Sequence, residues 1–229
     1  MAVPATWQLA REQVVLYAQR MLRERLTFFT AGNISVRIPD EPDLVAMTPG
    51  SLPYDTMQPS DVVIAKVSGV VVDGTRPPTS EFPLHTLAYA LRPDVRAVVH
   101  THSSSAMAMA AAGLPLPPIL HGFVAACGGG IVTAPYARGG TDEIPAFTVD
   151  PLRDRSACLL RNHGVLAIGP TLEHAYNAAA QVEAAAGAYL RARALGPVPE
   201  LPPEDVERLR EEFWAPAWAG TADAPTHGG

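Results

Sequence analysis

The chain has 229 residues, 48% of them hydrophobic, and 17 Lys and Arg stand against 23 Asp and Glu for a formal net charge of −6. That length buries a sizeable core, in one large domain or two small ones, and without a Lys- or Arg-rich block the charge balance argues against a nucleic-acid partner. Cys127 and Cys158 are too few to staple a chain of this size and sit in no Cys-x-x-Cys or Cys/His pattern, so they read as small buried thiols.

The start, Met1-Ala2-Val3-Pro4, lacks a secretory pattern, and no hydrophobic run is long enough to cross a bilayer, so a cytoplasmic location with no membrane partner is expected. Trp7, Ala10, Val14, Tyr17, Ala18 and Met21 recur at three- and four-residue steps, which predicts an amphipathic helix over residues 7–25. Short apolar runs at 44–47, 62–66 and 70–72, broken by Pro49-Gly50, Pro59-Ser60 and Ser68-Gly69, predict strands and turns. A second helix is expected from Thr79-Ser80-Glu81 to about Leu91, because Ser and Thr cap helix starts and Pro83 is tolerated in a first turn.

Residues 97–102 read as a strand and the alanine-rich 103–112 as a helix headed by Ser103. Further strands are expected at 131–134, 157–161 and 165–168. A long helix over 171–195 has a Thr cap, apolar periodicity and a Gly196-Pro197 stop. Beyond it come a stiff linker at 197–203, a terminal helix at 204–213 and a frayed tail at 220–229. With no internal repeat and no linker inside residues 5–195, one α/β domain with a mixed sheet is the simplest architecture, and the spacing of elements does not repeat as a regular doubly wound sheet.

In Val98-Val99-His100-Thr101-His102 the two histidines are two apart, so on a strand both imidazoles project to one face and can reach one metal ion. Adjacent histidines also occur as ordinary polar residues. A third, in Arg161-Asn162-His163-Gly164, lies between two expected strands, where a tight turn can aim a side chain into a cleft or merely cap the surface. A catalytic zinc keeps about three protein ligands and an open position, which is what a third histidine would complete. Glu81 sits at a helix start, where anions are favoured and where a plain first-turn acid is also common. His121, His174 and His227 read as structural or exposed. His85, one helical turn after Glu81, is the one worth checking.

Two turns offer donors to a phosphate: Ala31-Gly32-Asn33-Ile34-Ser35 and Thr48-Pro49-Gly50-Ser51. Neither is a nucleotide-binding fingerprint, and Gly/Ser/Asn turns are common for other reasons.

Taken in order, these segments resemble the class II aldolase/adducin family, most closely its L-fuculose-1-phosphate aldolase branch. The resemblance rests on Thr30 to Arg37, Thr48-Pro49, Pro53-Tyr54-Asp55, Ser80-Glu81, Arg92 to Val95, Ala97 to Ser103, Ala134 to Ala137 and Asn162-His163-Gly164, and spans roughly residues 10–195. It implies a three-layer sandwich with a central, mixed, mostly antiparallel sheet flanked by helices, a core of about 7–195, and a homotetramer with sites at subunit interfaces. It implies zinc, or another divalent transition metal, on His100, His102 and His163, with Glu81 as a further ligand that swings off to act as the catalytic acid/base. Gly32, Asn33, Gly50, Ser51, Thr79 and Ser80 would hold the substrate phosphate.

The reaction so implied cleaves a ketose 1-phosphate to dihydroxyacetone phosphate and a small aldehyde through a metal-stabilised enediolate. The same site would also serve decarboxylation, epimerisation or dehydration of a sugar phosphate, and adducin-like members are non-catalytic scaffolds. Glu rather than Asp at position 81 resembles the aldolases. Two departures stand out: Gly122 occupies the position of a family tyrosine, which leaves His121 or a tyrosine elsewhere to deliver that proton, and Gly50-Ser51 inverts the usual Ser/Thr-Gly order.

Overall fold

A computed structural model describes residues 4–138 and 146–219. Its centre is an eight-stranded sheet in the order β4-β3-β2-β1-β5-β8-β7-β6. The strands are β1 (Asn33–Ile38), β2 (Glu41–Met47), β3 (Val63–Lys66), β4 (Val71–Asp73), β5 (Ala97–Thr101), β6 (Thr133–Ala134), β7 (Ala157–Leu160) and β8 (Gly164–Gly169). Every pairing is antiparallel except the short β6–β7 edge, which is parallel. The α/β class and the mixed, mostly antiparallel sheet are therefore as expected.

The period-two alternation of the strands sorts the core into two layers. Ile34, Val36, Ala46, Ile64, Ala97, Val99, Val165 and Ala167 face one side, under α1 (Ala5–Arg23), α3 (Ser104–Ala112), α4 (His121–Cys127) and α5 (Leu172–Leu195). Val45, Met47, Val63, Ala65, Val98, Leu166 and Ile168 face the other, under α2 (Phe82–Leu91) and Trp218. On that second face β1 is polar: Asn33 and Ser35 are buried there against α2, which supplies His85 and Tyr89.

Three local differences have physical causes. Residues 33–38 form β1, one of the two central strands, although residues 31–35 read as a turn; the alternation of Ile34, Val36 and Ile38 with Ser35 and Arg37 is the signal that the turn-forming Gly32-Asn33 obscures. The short helix α4 also went unanticipated, and it ends on the left-handed Gly128. The terminal helix runs past Phe213: α6 (Pro203–Leu209) passes through a wide π turn over Arg210–Trp214 into α7 (Ala215–Ala219), because Trp214 and Trp218 both donate to Ser156 Oγ. The tail at 220–229, His227 included, lies outside the described residues.

Cys127 and Cys158 are buried free thiols in opposite core layers. No helix among the described residues is long and apolar enough to cross a membrane.

Candidate metal centre

Three separate pieces of backbone bring the centre together. β5 carries His100, fully buried, on the face shared with Asn33, its direct partner on β1. His102 follows the strand end and is held in line by its N–H, which donates to Leu26 O at 3.0 Å. His163 sits in the β7–β8 turn, closed by His163 N–H to Leu160 O at 3.0 Å, with Asn162 in the left-handed region at φ 58°. Gly164 is not the residue in the left-handed region of that turn. It serves instead for close approach, since a Cβ there would overlap Thr101 O and crowd both His100 and His102. Gly32 is needed on both counts: φ is 69°, and a Cβ would lie 2.7 Å from His100 O.

Glu81 is the N-cap residue of α2, but its side chain makes no capping hydrogen bond. Its carboxylate turns inward, with Oε2 3.0 Å from His100 Nε2 and Oε1 2.9 Å from His163 Nε2. His100 Nε2 is 2.8 Å from His102 Nε2. The three rings stand at steep angles to one another, 62–89°, with centroids 4.6–4.9 Å apart, so their edges rather than their faces converge. One ligand atom from each of Glu81, His100, His102 and His163 lies within 4.8 Å of all the others.

This donor set fits a divalent transition metal. Imidazole nitrogen with carboxylate oxygen is a common donor mix for zinc. His100 Nδ1–H donates to Val165 O at 2.8 Å, which fixes the tautomer and leaves Nε2 as the free lone pair. Two nitrogens bound tetrahedrally to one zinc stand about 3.3 Å apart, given Zn–N of about 2.0–2.1 Å. The His100–His102 pair therefore needs to open by only about 0.5 Å.

The electrostatics point the same way. Burial alone would raise the Glu81 carboxyl, but the charges and hydrogen bonds of His100 and His163 outweigh it and hold it well below the usual carboxylate range. Burial works against a charge on His100 too, and Glu81 more than offsets that, so its pKa is raised. His102 is pushed down to about 3 by burial and by the charges of His100 and His163. A cluster that concentrates negative charge among imidazole lone pairs suits a cation.

The turns singled out for phosphate are tied to one another. Tyr54 OH donates to Gly32 O, Ile34 N–H to Thr48 Oγ1 at 3.2 Å, Gly50 N–H to Pro77 O at 3.1 Å and Thr79 N–H to Thr48 O at 3.2 Å. Asn33 Nδ2 donates to Glu81 Oε2 at 2.8 Å, and Thr79 Oγ1 accepts from Glu81 N–H at 3.3 Å. The N–H of Gly50 is thus already engaged. Ser51 and Ser80 are exposed and spend no hydroxyl on a partner among the described residues.

Beside Glu81 and His163 opens a pocket lined by Leu84, Pro135, Ala137, Thr148, Leu160, Arg138 and Arg161. Pro135 and Ala137 stand in a segment that carries the family resemblance and Arg161 beside His163, but none was assigned a site role, since a lining contributed by separate elements has no local pattern. Gly122 lies in a different groove, with Gln181, Phe213 and Trp214. His121 is exposed at the start of α4, and His174 sits at the start of α5 with Nδ1 2.8 Å from Thr171 Oγ1.

Residues 12–190 match the family model described as Class II Aldolase and Adducin N-terminal domain. The chain is 36% identical over 206 residues to 5-deoxy-D-ribulose 1-phosphate aldolase of Bacillus thuringiensis serovar kurstaki, covering 90% of this chain and 96% of that one. It is 37% identical over 207 residues to L-fuculose phosphate aldolase of Escherichia coli strain K12, covering 90% and 94%. A solved L-fuculose 1-phosphate aldolase superposes with a TM-score of 0.85 at 32% identity, over 93% of this chain and 98% of that one.

Proposed function

This chain belongs to the class II aldolase and adducin family, and on that footing we propose that it is a zinc-dependent aldolase cleaving a ketose 1-phosphate into dihydroxyacetone phosphate and a small aldehyde. The observation that carries this reading is the convergence of Glu81, His100, His102 and His163 within 4.8 Å. His100, His102 and His163 would hold a divalent cation, which when bound would supply Lewis acidity to the substrate carbonyl.

The residues do the rest. As the carbon–carbon bond breaks, its electrons stay on the carbon beside the carbonyl, the departing carbon's hydroxyl gives its proton to the Glu81 carboxylate as it becomes the aldehyde, and Glu81 passes that proton to the first carbon. Held ionised in the resting site, Glu81 is set to exchange that proton in either direction. Asn33, Ser51, Thr79 and Ser80 would bind the phosphate through hydroxyl and amide donors, with Gly32 and Gly50 leaving room for it. The pocket beside Glu81 and His163 sets Leu84, Pro135, Ala137 and Leu160 against Thr148, Arg138 and Arg161, so the aldehyde half would meet both apolar and polar walls there.

We further read the whole chain, 1–229, as one domain of this family, assembled in the cytoplasm as a homotetramer with its sites at subunit interfaces. Mass measurement in solution tests the assembly. The activity is tested by supplying the zinc-loaded protein with a panel of ketose 1-phosphates and coupling product to glycerol-phosphate dehydrogenase. Turnover with at least one is expected, and none with any counts against the aldolase. Product masses then separate cleavage from decarboxylation, dehydration and epimerisation.

A further inference from the structure

Glu81 ends a chain of buried hydrogen bonds that the reaction as described does not use. Asn33 Nδ2 donates to Glu81 Oε2 at 2.8 Å; His85 Nε2 lies 2.6 Å from Asn33 Oδ1; Ser35 Oγ lies 2.7 Å from His85 Nδ1 and 2.8 Å from Tyr89 OH. Asn33, Ser35, His85 and Tyr89 are all at most 3% exposed, so water does not substitute for any of these partners.

The direction of every bond follows from its inner end. An ionised carboxylate only accepts, so the Asn33 amide must present Nδ2 to Glu81 and Oδ1 to His85. Oδ1 also only accepts, so His85 carries its proton on Nε2. The neutral imidazole then accepts at Nδ1 from the Ser35 hydroxyl, and Ser35 accepts from Tyr89. A flipped amide would set Oδ1 against the carboxylate, and one side chain decides against it.

We propose that His85 is a positioning residue that, by donating from Nε2 to Asn33 Oδ1, orients the Asn33 amide so that it holds Glu81 in place for proton transfer. This rests on the reading of Glu81 as the acid/base. It also leaves the second Nδ2 hydrogen of Asn33 free for the substrate phosphate, so that one amide touches both the phosphate and the base.

The test is a pair of variants in full-length, zinc-loaded protein. In His85→Gln the amide nitrogen replaces Nε2 and still donates to Asn33; in His85→Asn the shorter side chain keeps the Ser35 contact and loses Asn33. His85→Asn should lower kcat by about ten- to a hundredfold, the worth of one hydrogen bond to a charged group, with KM within about twofold. His85→Gln should stay within about threefold of the unaltered enzyme on the same scale.

Independently of activity, crystal structures should show the Asn33–Glu81 contact broken in His85→Asn and kept in His85→Gln. A contact intact in His85→Asn, or a His85→Gln enzyme as slow as His85→Asn, overturns the assignment. Unaltered protein that binds zinc and cleaves no ketose 1-phosphate overturns the aldolase reading instead, and the crystallographic comparison still decides the role of His85.

Discussion

Asn33 and His100 are direct partners across the antiparallel β1–β5 ladder, and both reach Glu81 Oε2, at 2.8 and 3.0 Å. One carboxylate oxygen from the start of α2 is therefore held by two neighbouring central strands. Strand register, set by a buried two-sided sheet, fixes where the carboxylate sits, because a slip by one residue would turn both side chains to the opposite face.

Among the described residues, His102 contributes its Nε2 without a carbonyl partner of the kind that orients His100. Replacing it with alanine leaves two imidazoles and a carboxylate. Zinc affinity is expected to fall by on the order of a hundredfold or more and the cleavage rate with it, because one of the three imidazoles is lost and Glu81, needed as the third ligand, is no longer free to carry the proton. Metal analysis after dialysis, with calorimetric titration of zinc into the stripped protein, measures this. Zinc bound as tightly as in unaltered protein would remove His102 from the ligand set.

Glu81→Gln should separate binding from chemistry. The three histidines remain, so about one zinc per chain should be retained, while kcat drops by on the order of 100- to 10,000-fold because the amide cannot carry the proton. Retained activity would assign the proton transfer to another group.

Glu183 on α5 accepts from three donations at the start of α3: Ser105 N–H to both oxygens, each at 3.0 Å, and Ala106 N–H at 2.9 Å. It thereby anchors the helix that begins just beyond His102 and satisfies donors that every helix start leaves open. Glu183→Ala should destabilise the fold by roughly 2–3 kcal/mol, the scale of lost charged hydrogen bonds at a helix cap. Urea unfolding followed by circular dichroism reads it, and a change under about 0.5 kcal/mol, the scale of an ordinary surface substitution, would contradict it.

Burial, with the charge of His100 adding to it, pushes the His85 imidazole down to about 3. The unfolded chain takes up that proton near pH 6.5 and the folded one does not, so stability present above 6.5 is lost as pH falls from there towards 3. The slope from this one group is at most about 1.4 kcal/mol per pH unit. His85→Gln removes it, so the stability difference between the two proteins should change across that window and stay flat above pH 7. A parallel pair of pH–stability curves would show that His85 titrates normally.

Much of the fold was legible because its period was local. The helices at 5–23 and 172–195 announced themselves by apolar spacing and a Thr cap, and His100-x-His102 by the two-residue repeat of a strand. What misled was punctuation. Gly32-Asn33 looks like a turn from its neighbours alone, yet it opens a central strand because Gly32 must pass His100 O and Asn33 must pair with His100. The pocket wall of Leu84, Thr148 and Leu160 had no pattern to find.

The sequence by itself determined the elements, the sheet's alternation and the residue types able to hold a cation, since each depends on neighbours a few positions apart. Only the tertiary structure decided that Glu81 turns away from its own helix to meet His100 and His163, and that His85, Ser35 and Tyr89 stand behind it. Those contacts join α2 to β1, β5 and the β7–β8 turn. Buried polar groups must find partners wherever packing brings them, and packing is a property of the assembled layers rather than of any stretch of chain.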